Sequence, residues 1–245
     1  MSVTSLGTIA DLPVPFADRG YALSSLLSCG PDEAARLARM GYISSYRAGD
    51  IIATSKSGMP FYAIVQCGAA RSCFITPSGR RYTTGLTLRG QIIPPVRQPV
   101  DHALRTVEAT LNTTLYSFPA ERIDQLLRKD GRAASAFRKL LAQAIDNSGN
   151  WVTLLGRKTV GEKIAAFLLL LAESMSNGAE QDGLVEIPLS RSQIAEFLGI
   201  TIESVSRGLS SLKQEGIIRF WDMRNIEVLR PRYLAELAGD TAPAS

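Results

Sequence analysis

The spacing of apolar residues along this chain changes character twice, and each change marks a boundary between elements. Tyr21 to Cys29 and Pro31 to Met40 repeat apolar residues at helical intervals, the second through Ala34, Leu37, Ala38 and Met40. From Gly41 to Phe118 the period shortens to two. Runs such as ISSYRAGDIIA, PFYAIVQCG, ARSCFITPSGRRYTTGLTL, GQIIPP and LRTVEATLNTTLYSF alternate between glycine turns, which predicts an antiparallel barrel or jelly roll of short strands. Helical spacing then returns. Pro119 to Asp130 reads as a short helix, and a long one follows over 131–156. In that helix Phe137, Leu141, Ala144, Ser148, Trp151 and Leu155 step by four and three, the alternation of a coiled-coil seam. The same stripe would also serve a helix packed on its own barrel. Ile164 to Ala172 is the longest apolar run. It is too short to cross a bilayer and is bracketed by Glu162, Lys163 and Glu173, so it reads as a buried helix.

Two short helical patterns meet across a glycine in LSRSQIAEFLGITIESVSRGLSSLKQEGIIRF, Leu189 to Phe220. Ile194, Ala195 and Leu198 form one apolar stripe; Ile202, Val205, Leu209 and Leu212 form the second. Ser190 with Gln193 spells a capping box, Gly199 can take the positive φ that stops a helix, and Thr201 caps the next one. This is a helix-turn-helix, whose second helix enters the DNA major groove. Ala195, Gly199 and Val205 stand where two tightly crossing helices need small, turning and core residues, which separates the motif from a helical hairpin inside an unrelated core.

Glu203, Ser206, Arg207 and Ser210 form the outward face of the second helix. An arginine forks onto guanine, a glutamate accepts from cytosine and a serine bonds either kind of base, so Glu203, Ser206 and Arg207 are the candidate base readers. Ser190, Arg191, Ser192, Thr201, Ser204, Ser210, Lys213 and Arg224 are candidates for flanking or phosphate contacts. Gly208 lies inside this helix, where glycine costs up to about 1 kcal/mol against alanine. Close packing on the first helix would require it, or the helix firms up only on DNA. Ile217 to Trp221 and Asn225 to Leu229 flank Asp222-Met223-Arg224 as a wing, with Arg219, Arg224 and Arg230 in reach of phosphates. The final dozen residues read as a frayed tail.

Composition changes this picture only at the margins. With 245 residues, 45% apolar and 20% charged, the chain has room for two modest globular domains. The net charge of +4 favours phosphate, but from Glu186 to Ser245 seven basic residues face eight acidic ones, a net of −1. Affinity for DNA must therefore come from placed contacts more than from a general basic field. Three cysteines, Cys29, Cys67 and Cys73, are too few for a disulfide framework and point to a reducing compartment. The N-terminus has no secretion-signal pattern, so a soluble cytoplasmic protein without a membrane partner is expected. GRKTVG at Gly156 to Gly161 lacks the glycine that a phosphate-binding loop places directly before Lys-Ser/Thr, and it reads as a hinge. No nucleophile–base pair, metal cluster or phosphate loop stands out, so no enzyme, catalytic residue or metal site is expected.

Ile202-Glu203-Ser204-Val205-Ser206-Arg207 resembles the recognition helix of the catabolite-activator/FNR superfamily, in the E-x-x-S-R form of its FNR and FixK branch. Leu154-Leu155-Gly156-Arg157-Lys158 and Glu162 to Leu168 resemble the hinge and first DNA-domain helix of FixK-type regulators. The resemblance is strongest from Trp151 to Leu229. It implies that the barrel is a sensor domain of the cyclic-nucleotide-binding type, with Gly49, Gly68, Gly79 and Gly90 at its turns. It further implies a homodimer on a TTGAT-type palindrome, in which Arg207 reads the guanine, Glu203 its opposite-strand partners and Ser206 a thymine edge. RNA polymerase would be a further partner, in activation or, from an overlapping site, in repression.

Cofactor readings follow from the same resemblance. Where cyclic-nucleotide binders carry Gly-Glu, this chain has Gly90-Gln91; their Arg-Ser or Arg-Thr pair falls near His102-Ala103, with Arg105-Thr106 three residues on. Cyclic AMP is not expected. An FNR-type iron–sulfur cluster needs four cysteines, more than this chain has. His102 leaves haem as an alternative, Cys67 and Cys73 leave redox sensing, and the FixK-like reading needs no cofactor.

The sequence thus predicts an α+β chain: a flexible arm over 1–20, a barrel domain with flanking helices over 21–130, a dimerisation helix over 131–156 carrying the Phe137 to Leu155 seam, and a winged helix-turn-helix domain over 157–245. The predicted function is sequence-specific transcription regulation, FixK-like. The alternatives are an effector-gated family member and a homologue that dimerises without binding DNA.

Overall fold

The computed structural model describes residues 39–56, 61–96, 104–157, 159–176 and 184–239. The predicted arm, the helical stretch from Tyr21 to Cys29, residues 31–38 and His102-Ala103 lie outside them. The first described domain is a pair of four-stranded antiparallel sheets. One has the order β1 (Tyr42–Tyr46), β8 (Thr113–Pro119), β3 (Phe61–Cys67), β6 (Ile92–Ile93); the other has β2 (Ile51–Thr54), β7 (Leu104–Ala109), β4 (Ala70–Ile75), β5 (Arg81–Thr87). The strand period of two sorts residues to opposite faces. Ala63, Val65, Ala70, Val107, Ala109 and Leu115 meet inside with Ile52 and Ile93. Ile64, Tyr116 and Phe118 point out of the first sheet. The β3–β4 turn requires Gly68: its φ is +81°, and a Cβ there would collide with the Asn112 carbonyl and Thr113.

Two helices follow, α1 (Ala120–Lys129) and α2 (Gly131–Arg157). The apolar stripe of α2 is packed within its own chain. Phe137 stands edge-on to Tyr62 of β3, ring centroids 4.9 Å apart, with Leu141 and Ala144 against the same cluster. About two turns later, Trp151 stands edge-on to Phe197 at 5.2 Å and 6.3 Å from Phe167, with Leu155 beside it. Ser148, between the two packed halves, is exposed and donates its hydroxyl to the Ala144 carbonyl at 2.9 Å. Of the stripe expected to meet a partner helix, Phe137 and Trp151 are thus buried, and Leu141, Ala144 and Leu155 partly buried, against the barrel and the C-terminal domain of the same chain. The face of α2 left open carries Ala142, Ile145, Gly149, Val152 and Gly156. Ile145 and Val152 are 72% and 67% exposed.

The C-terminal domain comprises α3 (Val160–Ser176), β9 (Leu184–Glu186), α4 (Arg191–Leu198), α5 (Ile202–Gln214), β10 (Ile218–Phe220), β11 (Asn225–Val228) and α6 (Pro231–Ala238). β11 pairs antiparallel with β10, as the wing pattern predicts, and on its other edge with β9, which no sequence pattern announces. The expected frayed tail is instead α6 as far as Ala238. Leu234 and Ala238, one turn apart on its inner face, are fully buried in the domain core. That core also takes in Ala69, Leu86, Leu88 and Leu111 of the barrel, so one apolar cluster spans both domains. No helix among the described residues is long and apolar enough to cross a membrane.

Candidate nucleic-acid interface

The helix-turn-helix forms as its capping residues dictate. Ser190 Oγ accepts from the Gln193 amide at 3.3 Å, and Gln193 Oε1 accepts from the Ser190 amide at 2.9 Å, which closes the capping box of α4. Gly199 ends α4 in the left-handed region at φ +64°, and Lys163 Nζ donates to the Leu198 carbonyl at 3.2 Å. Thr201 Oγ1 then accepts from the Ser204 amide at 3.1 Å and starts α5. Val205, Leu209 and Leu212 bury the inner face of α5. Gly208 sits where α5 crosses α3: a Cβ there would run into Ile164 Cδ1. Its tight neighbour is thus the buried α3 helix, not the first helix of the motif.

Glu203, Ser206, Arg207 and Ser210 lie together on the outer face of α5, all exposed. Among the described residues no ion pair or hydrogen bond holds the Arg207 guanidinium, which leaves all five of its N–H groups for an acceptor outside the chain. Ser192 and Lys213 are exposed on the same motif, and the Thr201 and Ser204 hydroxyls are joined at 2.9 Å. Ser190 Oγ also lies 3.0 Å from Ser192 Oγ.

Two arginines sit differently from the sequence expectation. Arg191 is half-buried, with its guanidinium over the Phe220 ring at 5.3 Å from the centroid and Nη1 buried without a hydrogen-bond partner among the described residues; burial lowers its pKa from the ordinary arginine value. It braces the wing against α4 as well as facing the N-terminal end of the motif. Arg224 turns toward the barrel, donating from Nη1 to the Thr110 carbonyl at 3.5 Å, instead of pointing freely at a phosphate. The wing turn is held by Asp222, whose carboxylate accepts from the Arg224 and Asn225 amides and from Asn225 Nδ2, each at 2.7 Å. These bonds, the Asn225 side chain first, hold the Asp222 carboxyl below its ordinary pKa. Arg219 pairs with Glu227 across the wing at 3.2 Å.

In the barrel, Gln91 is engaged in its own turn: its side-chain oxygen accepts from the Leu88 amide at 3.0 Å. Arg105 is exposed at the start of β7, and Thr106 is buried with no partner for its hydroxyl among the described residues. Cys67 is exposed; Cys73 is buried, which pushes its thiol pKa up. Among the described residues no cluster of histidine, cysteine, aspartate and glutamate is arranged to hold a metal ion. Sequence reasoning passed over a polar group where the barrel meets α4, built from Arg71, Arg81, Thr83, Glu108 and Glu196. No spacing rule joins residues as far apart as Thr83 and Glu196, so no local pattern marks it.

Comparison with known proteins places this architecture. Residues 162–237 match the Crp-like helix-turn-helix domain. The transcriptional activator protein FnrL of Cereibacter sphaeroides is 32% identical over 138 residues, 56% of this chain and 54% of that protein. The transcriptional activator protein anr of Pseudomonas aeruginosa is 26% identical over 112 residues, 45% of this chain and 46% of that one. The chain thus spans about half the length of the curated relatives it matches. Among solved structures, FixK2 from Bradyrhizobium japonicum is similar over 83% of this chain and 99% of its own, with 28% identity and a TM-score of 0.70. A CooA mutant from Carboxydothermus hydrogenoformans shares the fold over 82% of this chain and 88% of its own, at 19% identity and a TM-score of 0.62.

Proposed function

This chain belongs to the Crp/Fnr family and is FixK-like, and we propose that it is a transcription activator that binds a TTGAT-type palindrome as a homodimer in the cytoplasm. The observation that carries the reading is the open face of α5. Glu203, Ser206 and Arg207 project from a helix capped at its start and buried along its inner side, so the three base readers are presented by a rigid element. In this reading Arg207 forks onto the guanine, Glu203 accepts from the opposite strand and Ser206 meets a thymine edge. Ser192, Ser210 and Lys213 flank them toward the phosphates.

A twofold-symmetric site requires a second copy. The open stripe of α2, Ala142, Ile145, Gly149, Val152 and Gly156, supports a helix-to-helix dimer. Its Ile145 and Val152 side chains are largely exposed, and among the described residues nothing lies within 4 Å of where a Cβ would stand on Gly149 or Gly156, so a partner backbone can approach closely there. RNA polymerase is the further partner that an activator of this family implies. The reading requires no cyclic AMP and no iron–sulfur cluster.

The test is a titration of a fluorescent TTGAT-N4-ATCAA duplex against a scrambled duplex, in air and without added ligand. Sequence-dependent binding by a dimer is expected, and Arg207→Ala should lose about 1–3 kcal/mol, with relaxed preference at one guanine position. Equal binding of both duplexes by wild type and Arg207→Ala would refute the proposal.

A further inference from the structure

The barrel and α4 meet through charge as well as through apolar packing. Arg71, on β4, is 4% exposed. Its Nη2 donates to both carboxylate oxygens of Glu108 on β7, at 3.1 and 3.0 Å, and Arg81 of β5 reaches the same carboxylate at 2.8 Å. Those three residues all belong to the barrel. The fourth member comes from the other domain: Glu196 of α4 places one oxygen 3.7 Å from Arg71 Nη1 and accepts from Thr83 Oγ1 with the other at 2.9 Å. Arg71 Nη1 is buried and makes no hydrogen bond among the described residues, so the Glu196 carboxylate lies within ion-pair distance of an otherwise unsatisfied guanidinium nitrogen. A buried charge left with too few partners is costly, and the cost falls when a carboxylate is held beside it.

From this geometry we infer that Glu196, held by Arg71 and Thr83, is a positioning residue for DNA binding: it latches the helix-turn-helix to the barrel in the pose that presents α5. The barrel touches α4 and the wing, through Glu196 and Arg224, and leaves the Glu203, Ser206 and Arg207 face of α5 exposed. The docked pose therefore favours binding and does not obstruct it. The apolar part of the same junction is Trp151, wedged against Phe197 of α4 and 5% exposed. Opening the latch must wet that indole. DNA affinity then depends on the fraction of molecules in the docked pose, because the apparent Kd rises as that fraction falls.

The inference about DNA rests on the function proposed above; the latch itself does not. Glu196→Lys separates it from bulk electrostatics. The substitution changes the charge from Glu186 to Ser245 from −1 to +1, seven basic and eight acidic residues becoming eight and seven. A simple field argument therefore predicts tighter binding to any duplex. The latch predicts the opposite, because a cation is set against Arg71 and Arg81. We expect the Kd for the palindromic duplex to rise about tenfold, as it would if the docked pose fell to about one-tenth of the population. Glu196→Gln, which keeps an acceptor for Thr83 but loses the charge, should fall between Glu196→Lys and wild type.

The second readout needs no DNA. In a Trp221→Phe background, acrylamide quenching reports on Trp151 alone, and quenching should increase in Glu196→Lys while the circular dichroism of the folded chain is retained. Unchanged quenching, or unchanged or tighter duplex binding by Glu196→Lys, overturns the latch. Failure of the wild-type protein to bind any duplex overturns the functional reading and leaves the quenching result to decide the latch.

Discussion

Gly208 offers a sharp test of how α5 is seated. Replacing a mid-helix glycine by alanine stabilises an unencumbered helix by about 1 kcal/mol. Here the added methyl runs into Ile164 Cδ1, and Ile164 is 2% exposed in the domain core with little room to turn aside. Overpacking of this kind costs about 1–3 kcal/mol, so Gly208→Ala should be neutral to destabilising by about 2 kcal/mol once the propensity gain of about 1 kcal/mol is subtracted. Ile164→Val removes the colliding Cδ1 and by itself costs about 0.5–1.5 kcal/mol. In the double variant the new methyl fills the space the Cδ1 leaves. Its stability should return to within about 0.5 kcal/mol of wild type, giving a favourable coupling of about 2 kcal/mol at the middle of these ranges. Urea unfolding of the four proteins, followed by tryptophan fluorescence and by circular dichroism to confirm that the two transitions coincide, measures the cycle. A Gly208→Ala protein more stable than wild type, with no coupling to Ile164→Val, would refute this account of the glycine.

Three other outcomes are expected. Ile145→Asp with Val152→Asp should convert a dimer to a 26.5 kDa monomer in sedimentation; an undisturbed dimer would place the interface elsewhere. Because the folded Asp222 carboxyl sits below its ordinary pKa, its contribution is complete above the unfolded aspartate value and is lost as pH falls through the lowered folded one. The Trp221 indole signal in proton NMR should therefore broaden or shift as pH falls through and below the ordinary aspartate range, and in Asp222→Ala at every pH; a wild-type signal indifferent to acid would sink this. Cys73 is 2% exposed and its thiol is pushed up by burial, whereas Cys67 is exposed. Iodoacetamide at pH 8 followed by peptide mass spectrometry should label Cys67 first and Cys73 only after denaturation; equal rates would contradict the burial.

Local rules were enough to determine much of this protein. The capping box at Ser190, the left-handed stop at Gly199 and the Thr201 cap depend on hydrogen bonds within four residues, so their positions in the chain specify the helix-turn-helix and, with the 3.6-residue period, the outward face that carries Glu203, Ser206 and Arg207. The period-two runs between Gly41 and Phe118 likewise specify strands, because alternation sorts side chains to two faces whatever the topology. Periodicity says which residues are buried, however, and not what buries them. The stripe from Phe137 to Leu155 has the spacing of a helix pair, but the curvature of the barrel and the placement of Phe197 make it an intramolecular seam and leave Ile145 and Val152 outside. Gly208 read as a weak point in a helix until Ile164, 44 positions earlier, was brought against it. Arg71 and Glu196 were each a plausible surface charge in the sequence. Only the docking of two domains, in which one buried guanidinium lacks enough acceptors of its own, makes them partners.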